Sequence, residues 1–438
     1  MKSLKPADSG LVRGIYRWDL VAVAINGIIG AGIFGLPAQV YRFTGRYSLL
    51  AFLVCALVVS CIVLCFAEVG GRFSDSGGPY LYARQAFGPI IGFEIGWLLW
   101  LARITAFASI CNLLIQYLSY FWPKAGAGGW RVAIISAIVV TLTGLNLAGV
   151  RQAAVISDIF VIGKLIPLLL FVAAGIFFIK LANFSVVPGM NFKSFSHAVM
   201  ISVFAFSGFE YTGIIAGETR EPRRNLPFAL MSAVGITAVL YLLIQFICIG
   251  TLPNLGNSER PLADAIQNFW GAAGGLLISI GVIISTFGTL SIILLAAPRI
   301  LFALAEQGEL PGFLKATHPR FHTPHWAILV SAAALLVVSV SGTFIYALTI
   351  STITRLLTYV ATCAALVALR RNRTVPATIF KLPAGVPIAA IAIALCIWLI
   401  ASITLREARD TAIAAATGLL LYAAYRLGQR PIVKQKAI

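Results

Sequence analysis

The stretch Asn26-Gly-Ile-Ile-Gly-Ala-Gly-Ile-Phe-Gly-Leu-Pro37 places four glycines and one proline in the middle of an apolar run over residues 18–41. Glycine weakens an α-helix because it loses more backbone freedom on folding than any other residue. The stretch therefore predicts a helix that opens at its centre and leaves backbone N–H and C=O groups without helical partners. In the hydrocarbon of a membrane such groups are tolerated only where they line a cavity or meet a ligand. The prediction is a broken membrane-spanning helix with a binding site at the break.

A second stretch of the same kind lies near the middle of the chain. Phe204-Ala-Phe-Ser-Gly-Phe-Glu210 is followed by Gly213 and Gly217, again inside an apolar run. This run is the sixth apolar segment along the chain, so the two glycine-rich segments open two successive sets of five. Glycine-interrupted spans at corresponding positions of two halves are the best sequence indication of a transporter binding site.

The composition is that of an integral membrane protein. Of the 438 residues, 60% are hydrophobic and 11% are charged, whereas soluble domains carry about 25% charged residues. A soluble multidomain enzyme is excluded on this ground. The net charge of +18 comes from short basic clusters between apolar runs, which is how membrane proteins fix their orientation. We therefore predict no nucleic-acid partner.

The apolar runs predict an all-α integral membrane protein with twelve transmembrane helices. The predicted order is a cytoplasmic tail over 1–17, five helices over 18–180, five over 195–369, two over 384–427, and a cytoplasmic tail over 428–438. Of the 33 Lys and Arg residues, 21 fall on the side of the termini and nine on the opposite side. This bias predicts a multi-pass protein of the cell membrane with both termini in the cytoplasm.

The two predicted breaks offer groups for both charged ends of an α-amino acid. The N–H groups of Ala31, Gly32 and Ile33 would lie at the N-terminus of a half-helix, which attracts a carboxylate. Carbonyls released at the breaks would accept an ammonium group. We predict these carbonyls at Ile28, Ile29, Phe204, Ala205 and Phe206, with Gly30 and Gly208 at the breaks themselves.

Other interpretations of Gly30-Ala-Gly-Ile-Phe-Gly35 can be compared with this one. The run matches the G-x-G-x-x-G fingerprint of dinucleotide sites, which needs a preceding strand and an acid about 20 residues later. Here the flanks are apolar helix and the next acid is Glu68, so no dinucleotide or other cofactor is predicted. Glycines that allow close helix packing in lipid are the remaining alternative, but they do not explain the matching run at Phe204–Glu210.

Several motifs together resemble the amino acid–polyamine–organocation transporters over about residues 15–370. The motifs are Gly27–Phe34, Ser76–Tyr82 with Phe87-Gly88, Phe204–Glu210 with Ala216–Glu218 and Glu221-Pro222, and the segment from Pro298 to Pro311 with Thr323-Pro324. The resemblance implies a five-plus-five inverted-repeat fold, like that of leucine transporters, with two peripheral helices. It implies secondary active transport of amino acids by alternating access, with Phe204 as an aromatic residue that closes over the substrate.

Lys164 is the most informative single residue. An ammonium group near the centre of a spanning helix costs about 2.5–3.5 kcal/mol on insertion scales. The predicted start of its helix near Arg151 is about 20 Å away, too far for the side chain to reach the membrane surface. The resemblance implies that this lysine fills the space where sodium-coupled relatives bind sodium, with Thr289 and Ser291 as candidate neighbours. Transport would then be sodium-independent, and coupled to protons if the lysine exchanges its proton.

Three other charged residues inside predicted spans are considered for a role in transport. Glu210 resembles a glutamate used for proton coupling in some relatives, but it equally suits a structural link that holds the sixth predicted span. Arg103 suits a vestibule charge for an acidic substrate, or a structural pair with Glu94 or Glu210. The sequence assigns no role to Arg355.

The remaining patterns exclude other chemistries. His318, His322 and His325 lie in a proline-rich loop without the supporting ligands of a zinc site, so no metal is predicted. The chain has no Walker A motif and no visible catalytic triad, which predicts a transporter that is neither ATP-driven nor an enzyme. We predict neutral or apolar amino acids as substrates, with protons and the lipid bilayer as partners. The alternatives are an exchanger of amino acids or their amines, and, in another class, a channel or a membrane-embedded amino acid sensor.

Overall fold

The structure is a computed structural model that describes residues 16–73, 78–148, 153–184, 191–213, 219, 221–321, 323–371, 378 and 380–428. Fourteen α-helices form the framework of these residues, with short 3₁₀ turns between some of them. The predicted all-α class is confirmed. Most of both predicted tails, His322 and the Ala216–Glu218 motif lie outside the described residues.

The helices follow one another along the chain without an intervening strand in the described residues. They are α1 (Arg17–Ile28), α2 (Gly32–Thr44), α3 (Ser48–Gly70), α4 (Pro79–Phe87), α5 (Pro89–Leu118), α6 (Gly128–Ala148), α7 (Ala153–Gly175), α8 (Phe192–Phe206), α9 (Pro222–Thr251), α10 (Pro261–Glu306), α11 (His325–Ser341), α12 (Phe344–Arg371), α13 (Gly385–Ile400) and α14 (Leu405–Gly428).

Many of these helices can cross a membrane. Within the described ranges, six helical segments are long and apolar enough to do so alone, and α13 with α14 forms a further pair bent by 117°. The helical stretch Lys164–Phe178 and the helices α8 and α11 are apolar but shorter. The chain is therefore a multi-pass membrane protein, while the count of twelve spans stays a prediction.

Two short helices escape detection by hydropathy. The helix α4 has nine residues, starts at Pro79 and is joined to α5 by Gly88 at φ 90°. The second short helix is the first part of α10. It starts at Pro261, about ten residues earlier than predicted, and Gly271 at φ 68° divides it from the rest of α10. Proline suits the first turn of a helix, and glycine accepts a positive φ without strain. Both short pieces are too brief to cross a membrane, so a count of apolar runs does not reveal them.

The two broken helices pack against each other and against neighbouring helices. The helix α1 packs on α9, α2 packs on α8, and α10 packs on both α5 and α7. This arrangement brings α7, α9 and α10 around the point where α1 stops and α2 begins. The residues that build the site therefore come from both halves of the chain.

A buried ion cluster joins helix ends on the predicted cytoplasmic side. Glu68 of α3 is 0% exposed and pairs with Arg72 at 3.1 Å and with Arg370 of α12 at 2.5 Å. Its carboxylate also accepts the N–H of Leu382, just before α13. One carboxylate with several donors thus fastens three helices, since a buried charge is tolerated when it is paired and hydrogen-bonded.

Candidate substrate site

The first glycine-rich stretch is broken as predicted. The helix α1 ends at Ile28 and α2 begins at Gly32, so Ile29, Gly30 and Ala31 connect two separate helices. Within the described part of the chain, no hydrogen bond is donated by the N–H groups of Ala31, Gly32 or Ile33. The first N–H groups of a helix have no partner inside it and attract negative charge. The N-terminus of α2 thus offers three backbone donors at the break.

The second stretch is broken at Ser207 and Gly208. The helix α8 ends at Phe206, and a 3₁₀ turn starts at Phe209. Gly208 has φ 113°, and a Cβ atom there would lie 2.1 Å from the carbonyl oxygen of Gly27. Only glycine fits, because the backbone of this break passes directly over the end of α1.

Gly32 and Gly30 differ in their surroundings. A Cβ atom on Gly32 would lie 2.8 Å from the Cα of Ala205, so Gly32 is where α2 touches α8. A Cβ atom on Gly30 would meet only the carbonyl oxygen of Ile28 at 3.9 Å and Cγ2 of Thr289 at 4.0 Å. The packing interpretation therefore fits Gly32, whereas Gly30 faces a position with room beside it.

Lys164 caps the end of α1. Its Nζ donates to the carbonyl oxygens of Asn26 at 2.6 Å and Ile29 at 2.7 Å, and the residue is 4% exposed. The last carbonyls of a helix have no partner inside it, and a cation is favourable at that end. The ammonium group therefore occupies the place where the broken helix offers oxygen atoms to a cation.

Tyr241 of α9 links the two breaks, although no motif in the sequence points to it. Its hydroxyl lies 3.2 Å from the carbonyl oxygen of Ile28 and 3.0 Å from that of Ala205. The side chain is 0% exposed, and a buried tyrosine hydroxyl normally has a hydrogen-bond partner. The only sequence signal was a phenol in an apolar span, which does not indicate where that partner is.

Several carbonyls predicted to bind a substrate ammonium already have donors. Ile29 accepts from Lys164, and Ile28 accepts from the N–H of Gly30. Phe204 accepts from the hydroxyl of Ser207 at 2.7 Å, and the hydroxyl of Tyr241 places its single proton between the carbonyls of Ala205 and Ile28. In this conformation these carbonyls help to hold the breaks together. Each carbonyl oxygen has a second lone pair, so their binding of a substrate ammonium stays a prediction.

The predicted aromatic residues lie inside the protein. Phe204 is 6% exposed and Phe206 is 0% exposed. The ring of Phe206 packs edge-on against Tyr241, with centroids 5.0 Å apart. Both residues belong to the last turn of α8, next to the break.

Glu210 is held by three donors. Its carboxylate pairs with Arg355 of α12 and accepts the hydroxyl of Tyr359 at 3.3 Å and the N–H of Gly208 at 2.8 Å. Arg355 and Glu210 are both 4% exposed. This geometry favours the structural interpretation of Glu210 and gives Arg355 a partner, since a buried charge needs compensation.

The other predicted residues are less closely connected to the breaks. Thr289 touches the position beside Gly30, but its hydroxyl donates to Ser285 within α10. Ser291 donates to Phe287 in the same helix. Arg103 is buried in α5 at 4% exposure, and neither carboxylate oxygen of Glu94 accepts a hydrogen bond from a described residue.

A comparison with known protein families bears directly on this site. A family model described as amino acid permease matches residues 15–419. The chain belongs to the amino acid permease family. The resemblance to the amino acid–polyamine–organocation transporters is thereby confirmed, and the chain is a membrane transport protein.

Individual relatives in this family are similar over most of their length. The methylthioribose transporter of Bacillus subtilis is 25% identical, with 97% of this chain and 95% of the relative covered. The serine/threonine exchanger SteT of Bacillus subtilis is 29% identical, with 75% and 77% covered. The branched-chain amino acid permease BcaP of the same organism is 27% identical, with 90% and 88% covered.

The two glycines of the first break can be separated by experiment. We expect Gly32→Ala to lower the thermal unfolding midpoint, because overpacking against backbone costs about 1–3 kcal/mol. Gly30→Ala should leave the midpoint unchanged and weaken binding by about tenfold, because a methyl group would crowd the open N–H groups. Binding is measured with the amino acid that raises the midpoint of the unmutated permease most. Unchanged affinity in the folded Gly30→Ala protein would contradict a substrate at this break.

Proposed function

We propose that this permease is a sodium-independent secondary transporter of neutral or apolar amino acids that works by alternating access around the two breaks. The observation that carries the proposal is the position of Lys164. Its Nζ binds the carbonyl oxygens of Asn26 and Ile29, and carbonyl oxygens are the ligands that a hard cation would require. A fixed ammonium group at these oxygens takes the place of a transported cation.

The chemistry of the break supports the substrate class. The open N–H groups of Ala31, Gly32 and Ile33 suit a carboxylate, which every α-amino acid has. The adjoining Ile28, Ile33 and Phe204 are apolar and buried. The charge of Glu210 is compensated by Arg355, so this acid is not free to pair with a cationic side chain.

The order of elements supports a five-plus-five architecture with twelve spans. In the first half, a broken helix is followed by α3, the short α4, a glycine at positive φ, and α5. In the second half, a broken helix is followed by α9, a short helix from Pro261, Gly271 at positive φ, and the rest of α10. Two further helices complete each set, α6 with α7 and α11 with α12, if α13 and α14 are peripheral. Matching irregularities in two halves are what an internal repeat produces.

The mode of coupling has two candidates. Proton coupling requires Lys164 to have different proton affinities in the two access states, which follows if water reaches it only when α1 moves away. Obligatory exchange requires the ammonium to stay charged and merely bridge helices. The similarity to the exchanger SteT supports the second candidate, and the buried position of Lys164 supports the first.

The test is uptake by purified permease in liposomes loaded with unlabelled amino acid. We expect labelled amino acid to enter at the same rate when all sodium is replaced by N-methyl-D-glucamine. An inward proton gradient without internal substrate should drive accumulation if the permease is a symporter, and should drive none if it is an exchanger. Protein-free liposomes give the background. Uptake that requires sodium would contradict the proposal.

A further inference from the structure

The turn between α11 and α12 is held by an arginine from another helix. The side chain of Arg131, on α6, donates to the carbonyl oxygens of Val340 at 3.0 Å, Ser339 at 3.2 Å and Gly342 at 2.8 Å. These are the carbonyls at the C-terminus of α11, which have no helical partners. A cation at this end of a helix is favourable. Arg131 therefore fixes the point from which α12 departs.

The helix α5 fixes the same turn from a second side. Asn112 donates to the carbonyl of Ser339 at 3.1 Å, and its side-chain oxygen accepts Arg131 at 2.6 Å. Ser109 donates to the carbonyl of Phe344 at 2.9 Å. The first residue of α12 is thus set by both α5 and α6.

The side chain delivered by this turn rests on the broken helix. A Cβ atom on Gly35 of α2 would lie 2.6 Å from Cζ of Phe344 and 2.9 Å from Cδ1 of Leu113. Phe344 is 4% exposed. The tip of its ring therefore touches the backbone of α2, three residues after that helix begins.

A cavity borders Phe344, the turn before α12 and the last turns of α5. It has a volume of 370 Å³, and its walls include Asn112, Gln116, Arg131, Glu259, Thr343 and Phe344. By the predicted orientation it faces the exterior, because the higher-numbered end of α5 points that way. Phe344 thus lines a cavity on the predicted external side and also contacts the helix that starts at the substrate site.

We propose that Phe344 is the external gate of this permease and that Arg131 is the positioning residue that holds it against Gly35. The proposal rests on the proposed function, because a gate has meaning only on a transport path. Access from outside requires α2 to move off the ring or the ring to turn away. Releasing the α11–α12 turn eases both movements.

The test measures access past the gate with a cysteine introduced by Thr105→Cys. Thr105 lies one helical turn below Ser109 on α5, and its hydroxyl bonds only to carbonyls of its own helix. We measure how fast a cationic, membrane-impermeant methanethiosulfonate modifies this cysteine from outside intact cells. Adding Phe344→Ala or Arg131→Gln should raise the rate by about tenfold, as expected when a closed state loses the contacts that favour it. With Arg131→Lys, the modification rate should lie between the rate of Thr105→Cys alone and the rate with Arg131→Gln, since an ammonium group still reaches the carbonyls.

Controls separate gating from unfolding. Phe344→Ala without the introduced cysteine should stay unmodified, because the native thiols are free but mostly buried. Rates in both variants equal to that of Thr105→Cys alone would overturn the gate, and an effect of Phe344→Ala without one of Arg131→Gln would overturn the positioning role. Modification only from the cytoplasmic side would overturn the external assignment. Amino acid uptake is not the readout, so failure of the proposed function shows in the liposome assay instead.

Discussion

Gly208→Ala is expected to abolish transport and to lower the thermal unfolding midpoint more than any other glycine substitution near the breaks. The new Cβ atom would lie 2.1 Å from the carbonyl oxygen of Gly27, and the backbone has φ 113°. Strain at such a φ and overpacking against backbone each cost on the order of 1–3 kcal/mol. Neither is relieved by a side-chain rotation, because the obstructing atoms belong to the backbone of α1.

Gly235→Ala is the matched control. Gly235 lies inside α9, and nothing is within 4 Å of the position of its Cβ atom. We expect this protein to transport at the unmutated rate and to have an equal or higher midpoint, since alanine favours helix over glycine. The measurements are thermal unfolding in detergent and counterflow in liposomes. A Gly208→Ala protein with the unmutated midpoint would contradict the close crossing of the two breaks.

Lys164→Met is expected to reduce transport by at least about tenfold while the protein still inserts into the membrane. Methionine keeps much of the length and apolar volume but removes the donor from the carbonyls of Asn26 and Ile29. A buried polar group that loses its partner costs about 1–3 kcal/mol. The end of α1 should therefore become less ordered. The relative free energies of the two access states should then change, so that one of them dominates.

Lys180→Met is the control for losing a lysine, because Lys180 bonds to Gly250 and Asn183 through its backbone, outside the breaks. It should transport normally. For Lys164→Met, counterflow and proton-driven accumulation are measured separately. Loss of accumulation alone would favour a proton-carrying lysine, and loss of both would favour a bridging lysine. Unmutated rates in both assays would contradict any role for Lys164 in transport.

The sequence located both breaks correctly. Helix α1 stops at Ile28 and α8 stops at Phe206, within the glycine-rich stretches identified first. This worked because helix weakness is a local property of glycine. The short helix α4 and the early start of α10 were missed because their length falls below what a hydropathy pattern can detect.

The hydrogen-bond partners of the side chains at the site could not be predicted from the sequence in the same way. Burial of Lys164 followed from its place in an apolar run, but its acceptors Asn26 and Ile29 are 138 and 135 residues away in sequence. Tyr241 reaches Ile28 across 213 residues. The sequence also could not distinguish Gly32, which packs against Ala205, from Gly30, which does not.

The sequence by itself determined the class of protein, the weak points of two helices and the presence of charges that membrane burial would make costly. These depend on composition and on neighbours a few residues apart. The tertiary structure alone decided that Lys164 and Tyr241 close the carbonyls of the break, that Arg355 compensates Glu210, and that the N–H groups at the start of α2 stay open. Such pairings arise when helices distant in sequence pack together, because each buried polar group must then find a partner among whatever groups the fold brings near it.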